Sequence, residues 1–138
     1  MFNAKQIKGL DPEYYSTPAE AARDLGTDPD PALDAFFAAT GAEIRTSDES
    51  QAYDDPAADH IHIPLIAKFH DAAGYYETLA HEACHWTGHS TRLDRFSRFT
   101  DRKAYAIQEL IAGIGNCMVC SQLGLTPDFA KSGAYLKS

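Results

Sequence analysis

Three histidines recur at intervals of four residues in the segment TLAHEACHWTGH, which spans residues 78–89. On a helix, the imidazoles of His81 and His85 project from the same face and can reach one metal ion. Glu82 directly follows the first histidine, so its carboxylate would meet a water on that metal rather than the metal itself. His-Glu-x-x-His therefore predicts a divalent-metal site with an acid–base carboxylate, and Zn2+ is the ion expected by default.

A zinc site that keeps one position open for water needs a third protein ligand. His89 continues the histidine series but follows a glycine that can end the helix, and Glu109 lies in a second long predicted helix. The metzincin spacing would place a histidine at position 91, where Thr91 stands. Small residues beside Glu109, namely Ala112 and Gly113, would let two helices approach closely. Glu109 is therefore the preferred third ligand, and His89 is the alternative.

The two predicted helices that carry these residues run from about 74 to 87 and from about 102 to 123. Apolar residues three and four positions apart support both of them. A shorter helix is predicted over residues 30–41, where Asp30 can cap the first turn and Gly41 can end the last. In the second long helix the apolar stripe consists of Ile107, Leu110, Ile111, Ile114 and Met118.

The segments AEIRTSD, SQAYDD and DHIHIPL are short runs separated by turn residues, and they predict a three-stranded antiparallel meander. An edge strand over residues 2–8, a short helix around 18–25 and a final helix after Pro127 are also expected. Strands come before the long helices, so the predicted class is α+β, with a small antiparallel sheet and a metal-binding helix packed against a second long helix.

The composition is that of one globular domain spanning residues 1–138, with 44% apolar and 23% charged residues. Neither a signal peptide nor a membrane span is predicted, and the three cysteines suggest a reducing cytoplasm rather than a disulfide framework. The net charge is −8, and residues 11–59 carry thirteen acids against Arg23 and Arg45. Nucleic-acid binding is therefore not expected of this chain.

The segments YYETLAHEACHWTGHSTRLDR and AYAIQELIAGIG, together with FNAKQIKGL and DHIHIP, carry a resemblance to a known family. They resemble the zincin-like metallopeptidase domain of ArdC-type antirestriction proteins, which also occurs in polyvalent proteins of phages and conjugative plasmids. The resemblance covers nearly the whole chain. It implies a zinc site built by His81, His85 and Glu109, with Glu82 as the catalytic base, in agreement with the spacing.

Two departures from the family pattern bear on activity. Gln108 and Gly113 stand where the family usually has acids, and Gly113 lies one helical turn beyond Glu109. An acid there can accept a hydrogen bond from a ligating imidazole, and losing such a partner typically costs about 10–100-fold in metal affinity or activity. Asn116 or a backbone carbonyl is a possible substitute. ArdC-type proteins also carry an N-terminal domain that binds single-stranded DNA. No such domain is expected within this sequence, so DNA binding is not carried over.

A peptidase with this site also needs a donor for the negative charge that develops on the carbonyl oxygen. Tyr105, on the same helix face as Glu109, and His89 are the two candidates. The expected substrate is a peptide or protein. The alternative is a non-catalytic zincin-like protein that acts in antirestriction by binding a host protein through its acidic surface.

Other residues attract attention without fitting this site. Cys117 and Cys120 form a Cys-x-x-Cys, which without a second pair predicts buried small residues rather than a redox or zinc motif. His60 and His62 alternate with isoleucines and are expected on the exposed side of a strand. The basic series Arg92, Arg95 and Arg98 is interpreted as balancing the acidic half, with contact to a substrate carboxylate as the alternative.

Overall fold

A computed structural model describes residues 24–98 and 102–126. The strand predicted over residues 2–8, most of the helix around 18–25 and the helix after Pro127 lie outside the described residues. Within them the chain forms helix α1 (Pro31–Ala39), strands β1 (Glu43–Ser47), β2 (Tyr53–Asp55) and β3 (His60–Pro64), and helices α2 (Ala72–Trp86) and α3 (Arg102–Gln122). This arrangement confirms the predicted α+β class.

Helix α1 begins where the sequence predicted, because Asp30 caps it. The Asp30 carboxylate accepts hydrogen bonds from the backbone N–H groups of Ala32 and Leu33 at 2.9 and 3.0 Å. The helix ends before Gly41, whose φ of +79° is a left-handed conformation that glycine adopts without strain. Its inner face buries Leu33 and Phe37, each 2% exposed, in the core.

The three strands form a mixed sheet in the order β1-β3-β2. β2 and β3 pair antiparallel as predicted, but β1 pairs parallel with β3, so the expected meander is wrong on this point. The reason is burial: all five residues of β3 are buried, whereas β1 and β2 each contain exposed positions. The strand covered on both faces takes the centre, and the polar strand β2 is left at an edge of the sheet.

The histidines of β3 are buried, which corrects the prediction that they lie on an exposed side. His60 is 7% exposed and His62 is 5% exposed. The ring of His62 stacks on Tyr53 at 4.8 Å between centroids, and Tyr53 also approaches the edge of His60. A period of two places alternate residues on opposite faces of a strand, but it does not reveal that both faces of β3 are covered.

Helix α2 begins at Ala72, two residues before the predicted start, because Asp71 caps it with a 2.7 Å hydrogen bond from Gly74 N–H. Its core face carries Ala72, Tyr76, Leu79 and Ala80. The Tyr76 hydroxyl donates to Asp34 at 2.7 Å and thereby ties α2 to α1. The histidine pair lies in the last turns of this helix.

Helix α3 packs on α2 through a face of small and polar side chains. A Cβ at Gly115 would lie 2.7 Å from the Cys84 sulfur, so the glycine is required for this close approach. The apolar periodicity correctly predicted the helix, but the buried face is a different one, because Ile107, Leu110, Ile114 and Met118 are exposed. The buried positions recur every four residues and are Ala104, Gln108, Ala112, Asn116 and Cys120.

Among the described residues, no helix has the combination of length and apolar character that spanning a bilayer requires.

Candidate metal centre

His81 and His85 on α2 meet Glu109 on α3 where the two helices pack. The Nε2 atoms of the two histidines lie 3.2 Å apart. His85 Nε2 is 3.3 Å and His81 Nε2 is 3.7 Å from the Glu109 carboxylate oxygens. One ligand atom from each of the three residues therefore lies within 4.8 Å of the others. The structure brings together the three residues that the sequence selected as ligands.

Burial keeps the two imidazoles in the form that can bind a metal. Desolvation lowers the pKa of His81, and desolvation together with the neighbouring His81 lowers the pKa of His85. Both rings are therefore neutral at physiological pH, and each Nε2 can offer a lone pair to a cation placed between the rings and the carboxylate of Glu109. Two neutral imidazoles and one carboxylate within reach of one point are a donor set that fits a divalent ion.

Glu82 lies beside this cluster without being one of its three members. Burial, with added repulsion from Glu109 and Asp54, raises the pKa of Glu82 to about 7. The backbone N–H of Asp54, on edge strand β2, donates a hydrogen bond to the Glu82 carboxylate and opposes that shift. A carboxyl group with a pKa near neutrality can take up and release a proton at physiological pH, as acid–base catalysis requires.

Asp54 was not selected from the sequence. Its carboxyl group is half-buried, and burial raises its pKa to about 6 while the nearby Arg92 opposes the shift. Twenty-eight residues separate Asp54 from Glu82 along the chain, and no local pattern links a residue of a short polar strand to a helix that follows it. Only the packing of β2 against α2 reveals this neighbour.

Tyr105 and His89, the two candidate hydrogen-bond donors, differ in their position relative to the three candidate ligands. Tyr105 is 70% exposed, and the negative charge of the nearby Glu109 raises the pKa of its hydroxyl. The Nδ1 atom of His89 accepts from the backbone N–H of Thr91 at 3.2 Å and lies 2.8 Å from the Thr91 hydroxyl. His89 does not join the cluster of possible ligands among the described residues. Tyr105 therefore lies at the site, and His89 is beside it.

Arg92 and Arg95 of the basic series cap the end of α2. Arg92 donates to the backbone carbonyl of Trp86 at 2.8 Å, lies over the Trp86 ring and pairs with Asp59. Arg95 donates to the carbonyl of Cys84 at 2.6 Å. The ion pair of Arg92 with Asp59 agrees with the interpretation that the series balances the acidic half, whereas the capping role was not predicted. A basic residue just beyond a helix end is the available signal, because it can satisfy the last free carbonyls.

The structure also shows the surroundings of Gly113, which departs from the family pattern, and of Asn116, its possible substitute. A Cβ at Gly113 would meet no atom within 4 Å, so the space beside it is open. The Asn116 side-chain oxygen is buried and accepts from the Cys120 thiol at 3.2 Å. All three cysteines are free, and Cys120 is fully buried while Cys117 is half-buried, in line with their interpretation as packing residues.

A family profile described as zincin-like metallopeptidase matches residues 31–138. The match spans well over half of the chain and includes both metal-site helices, so the chain belongs to the zincin-like metallopeptidase family. This confirms the resemblance drawn from the sequence.

Two solved structures of one relative are similar to this chain. The metal-free antirestriction ArdC protein from the R388 plasmid matches with a TM-score of 0.79 and 66% identity, over 99% of this chain and 47% of the ArdC chain. The Mn(II)-bound structure matches with the same TM-score and 65% identity, over 99% and 49% of the two chains.

Curated proteins are similar at lower identity. DNA primase TraC of Escherichia coli is 36% identical over 143 residues, which cover 100% of this chain and 12% of TraC. The uncharacterized protein y4eC of Sinorhizobium fredii is 35% identical over 136 residues, or 95% and 42% of the two chains. This chain spans less than half the length of each of these relatives.

Proposed function

We propose that this chain is a metal-dependent peptidase domain that hydrolyses a peptide or protein substrate. The observation that carries the proposal is the convergence of His81, His85 and Glu109, with the half-buried carboxyl group of Glu82 beside them. Family membership supports the same class of reaction. The similarity to an antirestriction protein supports a role against host defence in a phage or mobile-element context, in the cytoplasm.

Zn2+ is the proposed metal, and its fit rests on the donors. Two imidazoles and one carboxylate would hold a zinc ion through three protein ligands and leave it open to water, whereas Mn2+ prefers sites richer in oxygen. A divalent ion held there supplies Lewis-acid activation of a water and of the substrate carbonyl. The Mn(II)-bound structure of the ArdC relative makes Mn2+ the competitor to test.

The chain's own residues supply proton transfer and a hydrogen bond. Glu82, which is ionised above its pKa of about 7, takes a proton from the attacking water and passes it to the leaving amine. Tyr105, whose exposed side chain lies near Glu109, donates its hydroxyl proton in a hydrogen bond to the oxygen on which negative charge develops. His89 is the second candidate donor, because acceptance at Nδ1 leaves the proton of its neutral ring on Nε2.

The decisive experiment compares Glu82→Gln with wild type in a peptidase assay on a denatured-protein or peptide-library substrate, after loading with Zn2+ and separately with Mn2+. We expect turnover to fall by at least about 100-fold while metal content stays near one ion per chain. Glu49→Gln is the matched control, because Glu49 is an exposed carboxylate outside the site. Equal turnover by wild type and Glu82→Gln would contradict the proposal.

A second candidate function is a zincin-like protein that binds a host protein in antirestriction without cleaving it. The acidic segment from β1 to the start of β3 favours this candidate. Residues 43–59 contain only one basic residue, Arg45, against six acids. The acids are Glu43, Asp48, Glu49, Asp54, Asp55 and Asp59. Protection of incoming DNA in cells that persists in the Glu82→Gln variant would support binding, and loss of protection would support hydrolysis. Neither candidate needs nucleic acid as a partner of this chain.

A further inference from the structure

The candidate metal centre depends on the distance between two helices. Two of its donors lie on α2 and the third lies on α3. A metal site requires bond lengths within a few tenths of an ångström, so the helices must be held in place before the ion arrives. Close packing sets part of this distance, because Gly115 of α3 lies directly against Cys84 of α2, the residue before His85.

Arg95 spans the two helices next to the ligands. Its Nη2 donates to the Cys84 carbonyl at 2.6 Å, and its Nη1 donates to the Thr87 hydroxyl at 2.9 Å, both at the end of α2. Its Nε donates to the side-chain oxygen of Gln108 on α3 at 3.2 Å. Cys84 immediately precedes His85, and Gln108 immediately precedes Glu109. One guanidinium therefore contacts both helices one residue away from a proposed ligand.

Gly88 provides the space that this contact requires. A Cβ at position 88 would lie 3.0 Å from Arg95 Nη2, 3.0 Å from the His85 carbonyl oxygen and 3.0 Å from Phe96 Cζ. These distances are shorter than ordinary van der Waals contacts, so a side chain there would push the guanidinium away from the Cys84 carbonyl. The turn after α2 is thus shaped around the arginine head group.

We propose that Arg95 is a positioning residue for the metal centre, which holds the histidines of α2 at the right distance from Glu109 of α3. The inference rests on the metal centre proposed above. Arginine suits this role because its planar group donates in several fixed directions at once, whereas a lysine ammonium is a flexible point donor. The three partners of Arg95 lie on separate residues, so a lysine cannot reproduce the arrangement.

Arg92 is the matched control. It also caps α2, through the Trp86 carbonyl, and it pairs with Asp59. None of its partners among the described residues lies on α3. Replacing Arg92 removes a cap and an ion pair of similar kind without touching the link between the two ligand-bearing helices. Loss of stability is therefore common to both arginines, and loss of metal affinity is expected of Arg95 alone.

The test measures Zn2+ affinity by competition with a chelating dye, and urea unfolding of the metal-free protein, in Arg95→Lys and Arg92→Lys. We expect Arg95→Lys to weaken Zn2+ binding about 10–100-fold, the range found when an outer partner of a metal ligand is lost. Arg92→Lys should bind Zn2+ with an affinity within about twofold of wild type. Its urea unfolding midpoint should fall by about as much as that of Arg95→Lys. Equal affinities for Arg95→Lys and wild type would overturn the inference, as would equal losses in both variants.

Gln108→Ala provides a second variant in case Arg95→Lys does not fold. It cuts the link to α3 and leaves the contacts of Arg95 with Cys84 and Thr87 in place. We expect it to weaken Zn2+ binding about 10-fold, and wild-type affinity would count against the inference. If neither wild type nor Arg92→Lys binds Zn2+ or Mn2+, the metal centre itself is wrong and the inference falls with it. Tight binding by wild type and by both test variants overturns the role of Arg95 alone.

Discussion

Two pairs of histidines in this chain show how similar patterns lead to different chemistry. His81 and His85 lie four residues apart on helix α2, and His60 and His62 lie two apart on strand β3. Each spacing places both rings of a pair on one face of its own element. On α2 both Nε2 atoms face the carboxylate of Glu109 and are only 3.2 Å apart. The strand pair has no such convergence among the described residues.

The difference lies in what the rest of the fold presents to each pair. Both nitrogens of His62 are already engaged, Nε2 with the Ser47 hydroxyl and Nδ1 with the Gln51 carbonyl, each at 2.8 Å. Its ring also stacks on Tyr53. A histidine with two occupied nitrogens has no lone pair left for a metal and acts as a packing and hydrogen-bonding group. The lesson is that a third, distant residue decides whether two histidines form a site.

The largest effect on metal binding is expected when that third residue, Glu109, is replaced. Glu109→Ala should reduce Zn2+ affinity by on the order of 1000-fold, because one of three ligands is lost and two imidazoles remain. His89→Ala should leave metal content unchanged, since His89 is outside the cluster. Metal content is measured by mass spectrometry on protein purified without a His tag or chelator. Near-stoichiometric metal in Glu109→Ala would show that Glu109 is not what makes the histidine pair of α2 a metal site.

The second prediction concerns the histidine pair on strand β3, where a substitution should lower stability and leave metal binding unchanged. His62→Ala should lower the free energy of unfolding by about 2–3 kcal/mol, because it leaves a cavity and removes the partners of the Ser47 hydroxyl and the Gln51 carbonyl. Zn2+ affinity of the folded protein should be unchanged. Urea unfolding and dye competition measure the two quantities, and a variant of wild-type stability would contradict the structural role of His62.

The pH dependence of stability separates Glu82 from the histidines beside it. Its pKa is raised from 4.5 to about 7, so its stabilising contribution is present below pH 4.5 and is lost as the pH rises through 7. The lowered pKa of His85 acts in the opposite direction, and its contribution is lost as the pH falls below 6.5.

Glu82→Gln should therefore gain stability relative to wild type, by about 1–3 kcal/mol more at pH 8 than at pH 4.5. Urea unfolding of metal-free protein at the two pH values measures this difference, and Glu49→Gln is the control. A difference that does not change with pH would mean that Glu82 is not held in a desolvated position.

The smallest expected effect is an increase in Zn2+ affinity at the histidine pair of helix α2. Gly113→Glu places a carboxylate one turn beyond Glu109, in space where a Cβ meets no atom within 4 Å. We expect Zn2+ affinity to rise about 10-fold, because the new acid can accept a hydrogen bond from a ligating imidazole. Gly113→Gln is the control for side-chain bulk and helix propensity. Equal affinities of Gly113→Glu and wild type would show that the site does not depend on an acid at this position.

Local patterns in the sequence were sufficient for the elements and the main residues of the site. The cap at Asp30, the apolar periodicity of the long helices and the spacing of His81, His85 and Glu82 act over one or two helical turns, so they can be read along the chain. Glu109 was found because small residues beside it favoured close helix packing. The prediction that the histidines of β3 are exposed was wrong because the burial of β3 depends on residues far away in the sequence. The hydrogen bond from Arg95 to Gln108 of α3 was not predicted, because it joins two separate elements.

The sequence by itself determined the helices, the histidine pair, the adjacent Glu82 and the acidic character of residues 43–59, because each depends on residue type and short-range spacing. Only the tertiary structure decided that β3 lies at the centre of a mixed sheet, that Asp54 reaches Glu82, and that Arg95 bridges the two ligand-bearing helices. The physical reason is that burial and inter-element hydrogen bonds are set by which surfaces pack together, and no local periodicity encodes that choice.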